Sequence, residues 1–171
     1  SGYCDKAKRP HIVERWRINE PSDIASQGTI EGNLYVYTTT SGYVRAVESK
    51  SGEALWSYKT GNKLFSAPFI TEKSVYVTSS DGKIYALKRR SGKKRWSLET
   101  GYPIVASPVV QDDVLYVGSS NGKFYAVGAT DGEIKWVAEG LRGYIESRPA
   151  VDEKNVYIGS WGAMFYAFDL K

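Results

Sequence analysis

The chain has 171 residues, the size of one domain, and is 42% hydrophobic and 25% charged, the balance of an ordinary globular protein. Its net charge of +4 favours solubility and names no partner. A single cysteine excludes an internal disulfide, a single histidine leaves no histidine-based metal spacing, and no apolar run approaches the ~20 residues of a membrane span.

Residues 1–10 (SGYCDKAKRP) lack any period and read as a tail. Cys4 there is read as an incidental thiol; a lipid-anchor cysteine is the other reading, against which three residues precede it. Residues 11–19 (HIVERWRIN) are predicted as a short strand carrying Trp16, with His11 a surface residue of that strand, and Pro21-Ser22-Asp23 as a turn. The first full repeat predicts strands at 29–30, 34–38, 44–47 and 54–58; LYVYT at 34–38 alternates at the spacing of a half-buried strand. The second predicts strands at 67–70, 74–78, 83–87 and 95–98, and the third at 109–110, 115–118, 124–127 and 134–137. Asp81-Gly82 and Asn121-Gly122 are strong hairpin signals, because both central positions of a type I′ turn need positive φ. The fourth repeat predicts strands at 150–151, 156–159 and 164–168 and has no Trp strand of its own.

These segments recur at a fixed period. Trp16, Trp56, Trp96 and Trp136 are 40 residues apart, as are Gly42, Gly82, Gly122 and Gly162, and also Gly52, Gly92 and Gly132. Four short antiparallel strands per period are the signature of a β-propeller blade. The fold class predicted is all-β: a propeller of four 40-residue repeats, at about 20–58, 59–98, 99–138 and 139–171, behind a tail at 1–10. The orphan strand at 11–19 is expected to lie beside 164–168 and complete the last blade as a clasp, since an unpaired sheet edge is a liability.

The period is broken in two repeats. Gln27 stands where Pro68, Pro108 and Pro149 stand later; one extra residue falls in GLRGYIESR (140–148); and the interval from Tyr157 to Gly162 is one shorter than from Tyr116 to Gly122, placing Trp161 in a shortened turn.

Three segments, RAVESKSGEALW (45–56), YALKRRSGKKRW (85–96) and YAVGATDGEIKW (125–136), together with SPVVQDDVLYVGSSNGK, resemble the repeat of pyrroloquinoline-quinone-type propellers. The resemblance covers nearly everything after the tail. It implies that Trp16, Trp56, Trp96 and Trp136 are structural and dock between adjacent blades. It says little of function. Quinoprotein dehydrogenases of this fold need adjacent cysteines and an acidic calcium site, and one cysteine with no matching acid cluster argues against catalysis, a cofactor or a metal. Such rings usually have seven or eight blades, so the four repeats form a small ring, half of a ring closed by a second chain, or part of a longer propeller.

Two surface features compete for a role. Seven basic residues, Lys83, Lys88, Arg89, Arg90, Lys93, Lys94 and Arg95, run without an acidic residue. Stacking aromatics do not interleave them, so they are read as a solvated outer hairpin and not as a nucleic-acid site. The face made by inter-blade loops and middle hairpins collects Phe65, Tyr102, Arg142, Tyr144, Glu146, Arg148 and Trp161, with Tyr43 and Asp81 nearby. Aromatics with Arg are what interface anchors are made of. The expected function is a non-catalytic scaffold that engages a protein or polymer through this face, and the family resemblance alone implies a site outside the cytoplasm; the alternatives are a quinoprotein remnant and a purely structural array.

Overall fold

The computed structural model describes residues 13–170, all strands, turns and loops. Fifteen strands make four antiparallel sheets. The first blade is β1 (Thr29–Glu31), β2 (Leu34–Thr38), β3 (Tyr43–Glu48) and β4 (Ala54–Lys59). The second is β5 (Phe69–Ile70), β6 (Ser74–Thr78), β7 (Lys83–Lys88) and β8 (Lys94–Glu99), and the third β9 (Val109–Gln111), β10 (Val114–Gly118), β11 (Phe124–Gly128) and β12 (Ile134–Ala138). The fourth has three strands, β13 (Ala150–Val151), β14 (Asn155–Ser160) and β15 (Met164–Asp169). Each sheet meanders in chain order, as short hairpin loops dictate.

Because strand side chains alternate, each blade has two apolar faces, and each face needs a neighbour. Val44 and Ala46 of the first blade pack with Leu64, Val75 and Leu87 around the second. Ile84 and Ala86 pack with Ile104, Leu115 and Val127, and Phe124 and Ala126 with Ile145, Val156 and Ile158. The core is thus three layers between four blades. Near their inner ends the blades are stitched by buried hydroxyls: Thr38 Oγ1 donates to the Ser66 carbonyl at 2.9 Å and Thr78 Oγ1 to the Ala106 carbonyl at 2.7 Å.

The outer strands β4, β8 and β12 carry Trp56, Trp96 and Trp136, and Trp16 lies in the segment before the first blade. Three of the indoles lie on the blade that follows them and donate to a backbone carbonyl 33 residues on: Trp16 to Ser49 at 2.9 Å, Trp56 to Arg89 at 2.8 Å and Trp96 to Ala129 at 3.0 Å. The ring rests on a glycine. A Cβ on Gly52, Gly92 or Gly132 would stand 2.8, 2.5 or 2.8 Å from the ring of Trp16, Trp56 or Trp96. That close approach, with φ between 66° and 81°, explains why glycine shares the tryptophan period.

Three expectations need correction. Gly28, not Gln27, holds the repeat position of Pro68, since Ser26 bonds Thr38 as Ser66 bonds Thr78. The fourth hairpin turn is not shortened. Gly159 pairs with Phe165 as Gly118 pairs with Phe124, and Ala163 (φ 57°) takes the left-handed position held by Gly42, Gly82 and Gly122. The extra residue in the preceding loop displaces the whole blade by one, so the spacing of Gly162 is a coincidence.

The clasp is not formed either. Residues 13–20 have no strand assignment, and among the described residues β15 pairs with β14 alone; His11 lies outside those residues. The contacts of the segment go instead to the first blade, where Trp16 lies on Tyr35 and Glu20 accepts from Tyr37 Oη at 2.7 Å and pairs with Arg45 at 3.2 Å. Among the described residues the apolar layers join successive blades, first to second, second to third and third to fourth.

Candidate functional site

The loops after β4, β8 and β12 return the chain to the inner strand of the next blade. They share one rim with the β2–β3, β6–β7, β10–β11 and β14–β15 turns. Backbone hydrogen bonds weld loop to turn: Thr60 to the Gly42 carbonyl, Thr100 to Gly82, and Trp161 to Tyr144 at 3.0 Å. Leu64, Ile104 and Ile145 plug inward from these loops and are fully buried. Their neighbours turn out: Phe65 is 41% exposed, Tyr102 55%, Tyr144 58% and Trp161 75%.

On the fourth blade the rim is built most tightly. The backbone N–H of Arg142 donates to Tyr166 Oη at 3.0 Å, and Ser160 Oγ donates to the Arg142 carbonyl at 2.6 Å. A Cβ on Gly143 would lie 2.2 Å from the Gly162 nitrogen, so the loop and the turn touch backbone to backbone. Trp161 Nε1 donates to Glu146 Oε2 at 2.8 Å. Ser147 Oγ donates to the Gly159 carbonyl at 2.9 Å. The result is an open groove of about 680 Å³ lined by Glu146, Ser147, Gly159, Ser160, Trp161 and Ala163.

Arg142, Tyr144, Glu146 and Trp161 are brought together here. Phe65 and Tyr102 stand on the same rim but on the loops that follow the first and second blades. Arg148 departs from the face: its guanidinium lies over the Phe69 ring of β5, 5.6 Å from the centroid, a cation–π contact toward the inner strands. Asp81 is used in folding, accepting from Gly61 N–H at 2.9 Å, Lys83 N–H at 3.0 Å and Tyr85 Oη at 2.6 Å. Burial, and then that carboxylate, push the Tyr85 phenol well above its ordinary range. Tyr43 is flanked by the cations of Arg45 and Lys59, at 4.4 and 4.8 Å from its ring centroid. Sequence reasoning missed Tyr166 and Ser147; a repeat-position Tyr and a loop Ser carry no signal of their role.

The basic run sits on the β7–β8 hairpin. Arg89 is consumed there: its guanidinium donates to the carbonyls of Glu31 at 2.8 Å and Thr71 at 3.2 Å, and its own carbonyl receives Trp56. Lys83 pairs with Glu99 at 3.6 Å. Among the described residues there is no group of three or more His, Cys, Asp or Glu placed to hold a metal ion, and no helix long and apolar enough to cross a membrane.

The profile of the family described as outer membrane protein assembly factor BamB matches residues 14–171. The chain belongs to that family. Comparison with curated proteins gave no match. Among solved structures, this BamB-family chain superposes on BamB from Moraxella catarrhalis with a TM-score of 0.81 at 23% identity, over 91% of this chain and 49% of that one. It superposes on the computationally designed Ika4 protein with a TM-score of 0.81 at 14% identity, over 90% and 94%. Quinohemoprotein alcohol dehydrogenase from Comamonas testosteroni aligns with a TM-score of 0.71 at 16% identity, over 81% of this chain and 29% of that enzyme. At these identities the likenesses establish the β-propeller architecture. The chain spans about half the length of the BamB structure it matches.

Proposed function

We propose that this BamB-family chain is a non-catalytic scaffold that binds a protein partner through its loop rim, outside the cytoplasm. The observation that carries the reading is Trp161. A large aromatic that is 75% exposed, yet held at its indole nitrogen by Glu146 over a formed groove, is an anchor prepared before its partner arrives. The polar groups of the groove support binding over catalysis. Glu146, Ser147 and Ser160 are each already hydrogen-bonded to the protein. The family description, an assembly factor of outer membrane proteins, supports a protein partner and an extracytoplasmic site of action.

A photo-crosslinking residue in place of Trp161, with one at Lys93 on the outer hairpin as control, tests this in envelope extract of the source cell. One adduct is expected from position 161. Excess unlabelled chain should compete it away, Glu146→Ala should weaken it, and position 93 should not form it. Equal labelling from both positions overturns the reading.

The likeness to a quinohemoprotein dehydrogenase favours a second reading, a quinoprotein remnant. A saturable absorbance change on titration with pyrroloquinoline quinone and calcium would establish it in place of the scaffold.

A further inference from the structure

The turns at the other end of the strands, away from the loop rim, also repeat, and at one seam they break the pattern. Ser49, Arg89 and Ala129 hold one repeat position. Their N–H groups donate to the carbonyls of Asn33, Lys73 and Asp113, and their own carbonyls accept the indoles of Trp16, Trp56 and Trp96. Glu31, Thr71 and Gln111 hold another, each at the end of an inner strand and opposite Leu34, Ser74 and Val114. Between the first and second blades a side chain bridges the two positions. The Arg89 guanidinium donates to the Glu31 carbonyl of the first blade at 2.8 Å and to the Thr71 carbonyl of the second at 3.2 Å.

One repeat on, the same bridge needs an arginine at position 129, and alanine stands there. At this point the seam between the second and third blades opens into a crevice of about 310 Å³, lined in part by Thr71, Gln111, Asp112, Asp113 and Thr130. Thr71 and Gln111 hold here the places that Glu31 and Thr71 hold one seam earlier. A carbonyl oxygen has two lone pairs, so Thr71 can serve Arg89 and a second donor. The third blade adds negative charge. Asp112 and Asp113 form its turn with φ of 49° and 61°, a left-handed pair that Asp tolerates better than most side chains. Thr130 Oγ1 holds Asp113 there, donating at 2.9 and 3.0 Å to its two oxygens. Buried Tyr76 also lines the crevice, its hydroxyl spent on the Ala129 carbonyl. Lys73 and Arg95 face the carboxylates of Glu72, Asp112 and Asp113 in the same lining, so the balance is one negative charge.

We propose that this crevice binds the guanidinium of an arginine side chain offered by a protein partner, in the place that Arg89 takes between the first two blades. The nearby cations oppose a bare positive charge, which leaves donor geometry to select the ligand. A planar fork of five N–H donors reaches two carbonyls and a carboxylate at once, whereas an ammonium is a compact point charge. The site lies at the opposite end of the strands from Trp161 and is distinct from the rim.

The probe is N-acetyl-L-arginine amide, titrated into the isotope-labelled full chain and followed by amide NMR. Saturable shifts are expected around Thr71, Gln111 and Thr130 and not at Tyr144 or Trp161. The lysine counterpart should bind about tenfold more weakly, having lost the fork. Ala129→Arg supplies the guanidinium from the chain itself and should abolish the saturable shifts. If that variant does not fold, Asp112→Asn with Asp113→Asn decides: Asn tolerates the left-handed turn, and loss of both charges should weaken binding about tenfold. No saturable shift at any soluble concentration of the probe overturns the proposal. So do equal affinities for the arginine and lysine probes, which mark a general attraction of cations, undiminished binding in a folded Ala129→Arg, or a double Asn variant that binds as the parent does. None of these readouts involves the loop rim, so this site and the rim site can fail separately.

Discussion

The indole of Trp161 and the carboxylate of Glu146 meet at 2.8 Å across 15 residues, joining the turn of the fourth blade to the loop that enters it. The bond fixes the direction of the most exposed large side chain on the rim. Glu146→Ala should release it, and because both groups face solvent the cost in stability is expected within about 0.5 kcal/mol. Iodide quenching of tryptophan fluorescence checks this. The other four tryptophans are half-buried, so the readily quenched component should vanish in Trp161→Phe and become more accessible in Glu146→Ala. If quenching is unchanged in Trp161→Phe, the indole is not exposed.

Trp96→Ala removes the ring that lies on Gly132 and the hydrogen bond to the Ala129 carbonyl. It opens the seam between the second and third blades. The ring is half-buried, so a loss of about 3 kcal/mol is expected, the low end for aromatic truncation. Urea unfolding measures it, and a change below about 1 kcal/mol would show that the docked ring contributes little.

Glycines should separate by cause. A Cβ on Gly118 would stand 2.1 Å from Ile145 Cγ2, inside the third core layer. Gly118→Ala should cost about 1–3 kcal/mol through overpacking. Gly101 has φ of 81° and open space around it, so Gly101→Ala should cost only the left-handed backbone penalty of about 1–2 kcal/mol. In a double-mutant cycle, Ile145→Ala, which removes that Cγ2, should offset part of the Gly118→Ala cost and none of the Gly101→Ala cost; the absence of any coupling would show that the clash is relieved elsewhere.

Alkaline titration should find late phenols, Tyr37 and Tyr85 foremost. Burial first, and then the carboxylates of Glu20 and Asp81, raise Tyr37 and Tyr85 well above the ordinary tyrosine range. A group with a raised folded value favours the native state fully below its unfolded value of about 10 and loses that contribution as pH climbs through the folded one. Phenolate absorbance should therefore show a fraction that ionises only as the protein unfolds. Tyr37→Phe with Tyr85→Phe should shrink that fraction, to which the burial-raised Tyr58, Tyr116 and Tyr125 also contribute, and a single smooth titration in the parent protein would contradict the burial.

The propeller was legible because its period is long, strict and carried by two residue types with one shared cause, a ring laid on a glycine. The positions of Trp56 and Gly92 in the sequence already encode their contact. The clasp was misjudged because periodicity says which strand type residues 13–20 are, but not which sheet supplies their partner. Closure depends on the angle between blades, a property of packing that no single residue announces. The fourth turn was misread because Gly162 kept the 40-residue spacing while the left-handed position passed to Ala163. The rim aromatics could be named from loop position, whereas Arg148, expected on the same face, reaches Phe69 two blades away through its long stem.

The tryptophan-to-carbonyl links of Trp56 and Trp96 join the first blade to the second and the second to the third, and the three core layers join every successive pair of blades. Stability in such an array is a sum of blade terms and nearest-neighbour terms, as in a linear chain of coupled spins. An open array of this kind frays from its weaker end. Among the described residues the fourth blade has three strands and packs on the third, so its amides should exchange with solvent before those of β6, β7, β10 and β11. A closed ring has no end from which to fray. The slope of hydrogen-exchange protection along the chain, steep for an isolated arc and level for a ring, is therefore itself a record of whether the circle is complete.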